Sequence, residues 1–595
     1  MEIEKLEKFE LLQDKTFDYL FQKTSGNEDQ LYFEFKDRAS KLKVTNLFNK
    51  KYKEFKKKMA RSKIEHENFC EFEDEKYDLI CTGSWIANTK GIFKQVPNYD
   101  TGEVEKIEAS RIPMVPVEVL KNIDTRDLKV KVDFKSYGAW NSIIVDKSKI
   151  SIAHKIVELS NIGLDVTTTN SKNMVDYFYD CLTLNDEENI PLKQSCSRMG
   201  WVEDKFIPYS KNITFDGEKQ NKYLHNALKT KGNRSLWITY TSELRKSMFL
   251  RMQMAVSFAS PLIEKLNLLP FILHMWGKTG TGKTVGTIVS MSIWGNPVMG
   301  QLTKSMNNTI NSVMDTCAFM RNIPVALDEL QAIKDKMGYD KFVMLVCEGV
   351  ERGRMKYDEA KETRTWKNSF LFTGEEPITN ESAGGGVFNR VIEVDVTGKE
   401  VIDPFKGEEI VEFYSKNHGL VAEEYVKHIN RDIDSIKESY KTLNKTINSL
   451  NDTTTKQAMA MTLIMLGDLL AGQYFFTHEE PLKLDDMKEF LFSENDVDVT
   501  ERAYTYIMDT ISINRNKFES YSNEIWGRIS ETQIFFQKQK LTEILRSAGF
   551  DLKAVQKTWA EKKYIIKDSQ GRYYHNTRCY GVKSNYIVFS RYAES

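Results

Sequence analysis

The chain is poor in the residues that mark several common protein classes. Proline, cysteine and histidine number 12, 7 and 8 among 595 residues. The cysteines (Cys70, Cys81, Cys181, Cys196, Cys317, Cys347 and Cys579) are scattered and odd in number. None belongs to a Cys-x-x-Cys pair or a Cys/His group with zinc spacing, which excludes a disulfide framework and a structural zinc and predicts reduced thiols. No apolar run is long enough to span a bilayer, and no apolar segment follows a basic N-terminus. Neither membrane insertion nor export is therefore expected, and the sequence predicts a cytoplasmic protein. Net charge is missing too: 84 Lys and Arg face 85 Asp and Glu, so bulk charge names no partner. The remaining composition, 41% hydrophobic and 28% charged, is that of a globular protein. Its length predicts about three to five domains.

Against this plain background one stretch stands out. Phe271 to Trp276 is an apolar run of strand formers, followed by Gly277-Lys278-Thr279-Gly280-Thr281-Gly282-Lys283-Thr284 and then by an apolar helical segment from Val285 to Trp294. This is G-x-x-x-x-G-K-T in its required strand–loop–helix context. The glycines let successive N–H groups turn inward around phosphate oxygens. The helix N-terminus adds partial positive charge. Lys283 is expected to reach the β- and γ-phosphates of ATP and Thr284 to ligate Mg²⁺, giving a nucleotide site built from residues 277–284.

Further candidates follow in chain order. Pro324 to Glu329 is an apolar strand ending in two acids, 45 residues beyond Lys283. Asp328 suits the Mg²⁺ shell and Glu329 the general base that polarises the attacking water. Asn368 to Phe372 reads as another strand, and Thr373 at its end is placed to contact the γ-phosphate or the lytic water. Between them, Arg352 to Tyr357 forms a basic hairpin pattern that carries Arg354 and Lys356. After the glycine run 384–386, Arg390 opens the apolar strand Val391–Val394. An arginine there can reach across a subunit boundary to a neighbour's γ-phosphate.

These segments divide the chain into five parts. Residues 1–75 form a charged helical segment; Lys36 to Lys63 holds twelve Lys or Arg against two acids. Leu47-Phe48, Tyr52, Phe55 and Met59 draw one apolar stripe on that basic helix. It reads either as a DNA-contacting face or as a solvated helix balanced by the acids of 65–75. Residues 76–233 are a mixed α/β accessory domain of short strands, without a catalytic cluster. Residues 234–420 hold the ATPase core, and 421–520 a helical lid in which Arg502 is a speculative phosphate contact. Residues 521–595, with thirteen basic against seven acidic residues, read as helix–turn–helix then hairpin. That is a winged-helix pattern, with Lys553, Gln556 and Lys557 on the recognition helix and Arg572 on the wing.

Taken together, Gly200-Trp201, Phe271–Thr284, Trp294-Gly295-Asn296-Pro297, Leu327-Asp328-Glu329, Gly353-Arg354 and Thr373-Gly374-Glu375 resemble a known family. It is that of the MCM-like AAA+ replicative helicases of mobile genetic elements, particularly staphylococcal cassette chromosomes and pathogenicity islands. The resemblance covers about residues 77 to 595. It implies a multidomain α/β chain with a β-rich N-terminal region, an AAA+ P-loop core, a helical lid and a C-terminal winged helix. It also implies a ring, a hexamer, around single-stranded and forked DNA, with replication accessory proteins as further partners. By this resemblance Lys283 and Thr284 belong to the P-loop, Asp328 and Glu329 to metal binding and catalysis, and Thr373 to the sensor, where related ATPases often have Asn. Arg390 becomes the in-trans finger, and Arg354 and Lys356 fall on a DNA-gripping pore hairpin. Two alternatives stay open: an origin-binding initiator or loader without processive unwinding, and a remodelling ATPase whose winged helix contacts protein.

Overall fold

A computed structural model describes residues 2–591 apart from 65–69, 73–76, 78–79, 307–308, 334–337, 352–354, 357–358, 361–362, 380–382, 451 and 523. The chain is a multidomain α/β protein in two compact units. One comprises Met1–Ser197 with Asn212–Asp216, the other Arg198–Lys211 with Gly217–Ser595.

The first unit begins with helices Asp14–Thr24, Gln30–Lys41 and Thr45–Ser62. Asp29 caps the second by accepting from the Tyr32 N–H at 3.1 Å, satisfying one of the orphan donors of its first turn. Of the stripe read from the sequence, Phe48, Tyr52 and Phe55 face the core, Met59 is half-buried and Leu47 is exposed. Phe48, Tyr52 and Phe55 are buried and meet the Phe17 ring at centroid distances of 5.6, 5.6 and 6.0 Å. Burying each such ring contributes on the order of 1.5–3 kcal/mol, enough to hold a helix of otherwise charged residues. Beyond it stand a four-stranded sheet ending in Glu103–Ser110 and a five-stranded sheet built around Met114–Asn122 and Leu128–Ser136. Within the last of these strands, Leu128 to Lys135 alternates apolar and charged residues strictly, the signature of a half-buried strand. Helix Ala153–Ile156 tightens into a 3₁₀ turn, Val157–Ile162, which Gly163 ends at φ 105°.

The second unit is organised around five parallel strands in the spatial order Thr303–Ser305, Val325–Asp328, Ser369–Gly374, Phe271–Trp276, Val391–Asp395. All five point the same way, so the ends of Phe271–Trp276, Val325–Asp328 and Ser369–Gly374 lie at one edge. Their runs are almost wholly buried, as parallel strands covered on both faces require. Helix Met248–Lys265 covers one face, and its methionines Met252 and Met254 are core residues. It runs against helix Thr455–Tyr474, whose Gly467 leaves no room for a side chain: a Cβ there would meet the Ala255 carbonyl oxygen at 2.3 Å. Beside this contact, Arg245 and Asp468 are fully buried and paired at 2.8 Å, with Arg251 and Glu479 completing the group. The buried charges are thus matched, as burial demands. The hairpin Gly200–Val202/Lys205–Ile207, inside the 76–233 segment by the sequence boundaries, belongs to this second unit.

At the C-terminus, helices Lys538–Ser547 and Leu552–Glu561 sit on a four-stranded sheet ordered Gly527–Ile529, Gln533–Gln537, Val582–Ser590, His575–Cys579. Helix Val499–Ile513, assigned from its sequence position to the lid, buries Ala503, Ile507 and Ile511 in the core of this region. Trp559 Nε1 donates to the Thr500 carbonyl at 2.8 Å, and the rings of Tyr504 and Tyr564 stack at 4.1 Å. The amphipathic pattern was legible, but the partner of its apolar face was not.

Candidate active site

The phosphate-binding motif occupies the turn between strand Phe271–Trp276 and helix Lys283–Met291. Gly277, Gly280 and Gly282 all take positive φ, at 146°, 87° and 81°. The requirement is strictest at Gly282, where a Cβ would lie 2.4 Å from the Ile402 carbonyl oxygen in the strap that follows the last strand. That strap also fixes the loop by a bond from the Val401 N–H to the Thr281 carbonyl at 2.8 Å. The loop is therefore held from outside as well as by its own glycines.

Lys283 lies beneath the loop, with its ammonium donating to the carbonyls of Gly277 and Lys278 at 2.9 and 2.8 Å and to Thr281 Oγ1 at 3.2 Å. It is only 8% exposed. Burial lowers its pKa from the usual lysine value, while Glu375 and Asp328 oppose the shift. Next to it, Thr284 Oγ1 contacts both carboxylate oxygens of Asp328 at 3.1 Å. Thr373 Oγ1 donates to the same carboxylate from the neighbouring strand. The start of helix Lys283–Met291 and the end of strand Ser369–Gly374 thus meet at Asp328, although Thr284 and Thr373 lie far apart in the chain.

Glu329 follows with φ 58°, left-handed backbone that a non-glycine residue adopts at a cost. The twist presents an exposed carboxylate, which accepts from Ser305 Oγ at 3.4 Å. Residues 279–285, Asp328, Glu329, Gln331, Gly374 and Glu375 line one cleft of about 310 Å³.

Three residues of this cleft or its floor escaped sequence reasoning. Glu375 accepts from Thr279 Oγ1 at 2.6 Å, closing the strand end onto the phosphate loop. Gln331 lines the cleft with a buried carboxamide oxygen that has no hydrogen-bond partner among the described residues. His274 lies under Gly374, and its Nε2 is 2.9 Å from the Glu376 carbonyl. Burial pushes its pKa down to about 4, so the ring is neutral near pH 7 and supports the 373–376 turn without adding charge. Glu375 belongs to the Thr373-Gly374-Glu375 motif, but its contact with Thr279, 96 residues away, has no sequence signature.

The other candidate residues lie elsewhere. Arg390 sits where strand Val391–Asp395 begins, bonded to the Gly386 carbonyl at 2.8 Å, and its own carbonyl receives the Ile272 N–H. It is therefore about 13 Å down the sheet from the phosphate loop of its own chain. Arg502 packs over the Phe388 ring at 4.3 Å, not among the residues of the cleft. Arg354 is outside the described residues. Lys356 belongs to the two-residue strand Met355–Lys356, antiparallel to Glu359–Ala360.

Lys553 and Lys557 are exposed on helix Leu552–Glu561, as the recognition-helix reading requires of them. Arg572 is not at the hairpin turn. It is bound by Asp568, 2.6 Å away, in the loop that precedes the hairpin. The turn itself is Tyr580-Gly581, with both residues at positive φ as two-residue hairpin turns need. Arg578 and Lys583 pair across it and are exposed. The turn-forming composition of Ser569-Gln570-Gly571 is what puts Arg572 on a wing from sequence, whereas the hairpin of the structure closes at Tyr580-Gly581.

Residues 85–366 match the family model described as "Domain of unknown function (DUF927)", and residues 498–590 match the Cch helix turn helix domain. The first spans the phosphate loop and Asp328 but stops short of Thr373 and Arg390. The second begins at the helix that packs into the C-terminal core. No curated protein matches the chain. Among solved structures it is similar to "SCCmec type IV Cch - active helicase", with a TM-score of 0.63 and 16% identity, covering 86% of this chain and 98% of that one. A structure titled "The A form apo structure of NrS-1 C terminal region-CTR" matches at a TM-score of 0.26 and 13% identity, over 63% and 90% of the two chains. The chain thus shares its fold with the Cch helicase structure and carries a C-terminal region that matches the Cch helix-turn-helix model.

Proposed function

We propose that this protein is an ATP-dependent DNA helicase that serves the replication of a mobile genetic element. The observation that carries the reading is the convergence of Thr284 and Thr373 on Asp328, beside the buried Lys283, at one edge of a parallel sheet. The fold shared with an active helicase supports the same reading. The five-stranded sheet, the P-loop and the succeeding helices are then an AAA+ core with its lid, and the C-terminal region is a winged helix.

The residues present suit a nucleotide and Mg²⁺. Glycines with inward-turning backbone form the cradle, Lys283 supplies the charge for the β- and γ-phosphates, and Thr284 and Asp328 offer hard oxygen ligands. Mg²⁺, when bound, neutralises phosphate charge. Glu329 takes a proton from the attacking water, and Thr373 holds Asp328 and senses the γ-phosphate. Arg390 is too far from its own phosphate loop to act there. It serves the site of a neighbouring subunit, so the working form is a ring, a hexamer in our reading, and hydrolysis moves the Lys356 hairpins along a DNA strand.

Replacing Lys356 tests the coupling. Lys356→Ala retains basal ATPase activity and loses strand displacement on a forked substrate. Normal unwinding by that variant removes the pore hairpin from the account. The helix-turn-helix match favours one second reading, an origin-binding initiator or loader. It predicts ATP-dependent DNA binding with no strand displacement.

A further inference from the structure

Helix Thr45–Ser62 lies outside both matched family regions, and the helicase reading gives it no task. Its buried side is accounted for by Phe48, Tyr52, Phe55 and Ala60. Its other side is a row of cations. Lys50, Lys53, Lys57 and Arg61 recur every three or four residues and so share one face, with Lys51 and Lys58 one row over. Glu54 is the one acid in the helix.

Most ion pairs here are loose and exposed. Among the described residues, Lys53 approaches Asp100 at 3.8 Å and Lys58 approaches Asp14 at 3.4 Å, both between well-exposed side chains. Pairs of that kind contribute little and exchange readily for another anion. Lys50, Lys51, Lys57 and Arg61 have no carboxylate within 4.0 Å among the described residues. Lys57 and Arg61 instead flank the Tyr99 ring, at 5.4 and 5.7 Å from its centroid. Arg61 Nε also donates to the Tyr99 hydroxyl at 3.4 Å, and the ring orders the two side chains without supplying a counter-charge.

We infer that the exposed face of helix Thr45–Ser62 is a binding site for the phosphate backbone of DNA. From Lys50 to Arg61 the row is about 16 Å long, the axial length of about five nucleotides of one strand. A straight row of cations on a rigid helix fits a regularly spaced polyanion. Lysines predominate, and point charges of this kind neutralise phosphate without reading bases, so the site adds affinity without sequence preference. It does not depend on the ATPase reading, because the face carries its charge whether or not nucleotide is bound.

The test uses the full chain without nucleotide. Binding of a labelled single strand and of a labelled duplex of the same sequence is followed by fluorescence anisotropy across a salt series. The wild type is compared with K50Q/K51Q/K57Q/R61Q, with K50R/K51R/K57R as the charge-retaining control, and with Lys283→Ala. We expect the glutamine variant to bind about tenfold more weakly or worse, and its slope of log affinity against log salt to flatten by about 3. The arginine control and Lys283→Ala should bind as the wild type does. Lys50, Lys51 and Arg61 are exposed and Lys57 is half-buried against Tyr99, so thermal melting should be nearly unchanged, separating lost binding from lost folding. Unchanged affinity and slope in the glutamine variant overturn the inference. So does loss of binding to anionic phosphatidylserine vesicles with DNA binding intact, which makes the face a lipid-binding one.

Discussion

Lys283 and Lys50 are the same residue type put to opposite uses. Lys283 is almost fully buried, with three acceptors within 3.2 Å, and the fold fixes where its charge lies. Lys50 is exposed on the face of helix Thr45–Ser62 opposite its buried apolar stripe. A cation that meets a reacting phosphate must be preorganised, since its benefit comes from not having to reorganise during the reaction. A cation that meets a DNA backbone gains from staying mobile and solvated until contact, because the gain there is released counterions. The phosphate cleft and the basic faces of this protein therefore should fail differently when broken.

The largest effect is expected at the buried cation. Lys283→Ala should lower ATP turnover by about 10³-fold or more, measured as phosphate release at saturating DNA, with DNA binding in the absence of nucleotide unchanged. A variant with nearly normal turnover would detach the loop from the chemistry. Next, Glu329→Gln should slow hydrolysis by about 10²–10⁴-fold and leave ATP affinity near that of the wild type, because it removes a proton acceptor and no phosphate ligand. Parallel loss of ATP binding would instead make Glu329 a structural residue of the cleft.

On the exposed side, Lys553→Ala with Lys557→Ala should weaken duplex binding by several-fold, flatten its salt slope by about 2 and leave DNA-free ATPase activity intact. A change in basal turnover would blur the division between the two kinds of cation. The smallest effect is expected where a carboxylate faces the phosphate loop. Glu375→Gln removes a negative charge from the cleft, and ATP should bind several-fold more tightly, an effect of about 1 kcal/mol for a partly solvated charge. Thr279→Val should cancel part of that gain in a double-mutant cycle, because the two side chains share the 2.6 Å bond. Strict additivity would mean that the contact has no bearing on nucleotide binding.

What could be read from the sequence follows the same division. The phosphate loop was legible because its chemistry is encoded in consecutive residues, and a strand ending in Asp328-Glu329 gains meaning once the loop is known. Thr373 was legible as a strand end. The closure of Glu375 on Thr279, the neutral His274 under the turn and the left-handed backbone of Glu329 arise from packing between distant segments, and no local pattern announces them. The C-terminal region shows the limit from the other side. Its two helices were found by periodicity, but Ser569-Gln570-Gly571 is a better local turn than Tyr580-Gly581, and strand pairing decided in favour of the latter. Helix Val499–Ile513 was likewise assigned by position until its apolar face met Trp559 and its neighbours.

Strand displacement on forked DNA tests the central claim most directly. Forks with a 3′ or a 5′ single-stranded tail are incubated with the full chain and ATP, and release of the labelled strand is followed. The account predicts release from forks with ATP, none with a non-hydrolysable analogue, and none from Lys283→Ala or Glu329→Gln. ATP hydrolysis stimulated by DNA with no strand released from either fork would contradict it.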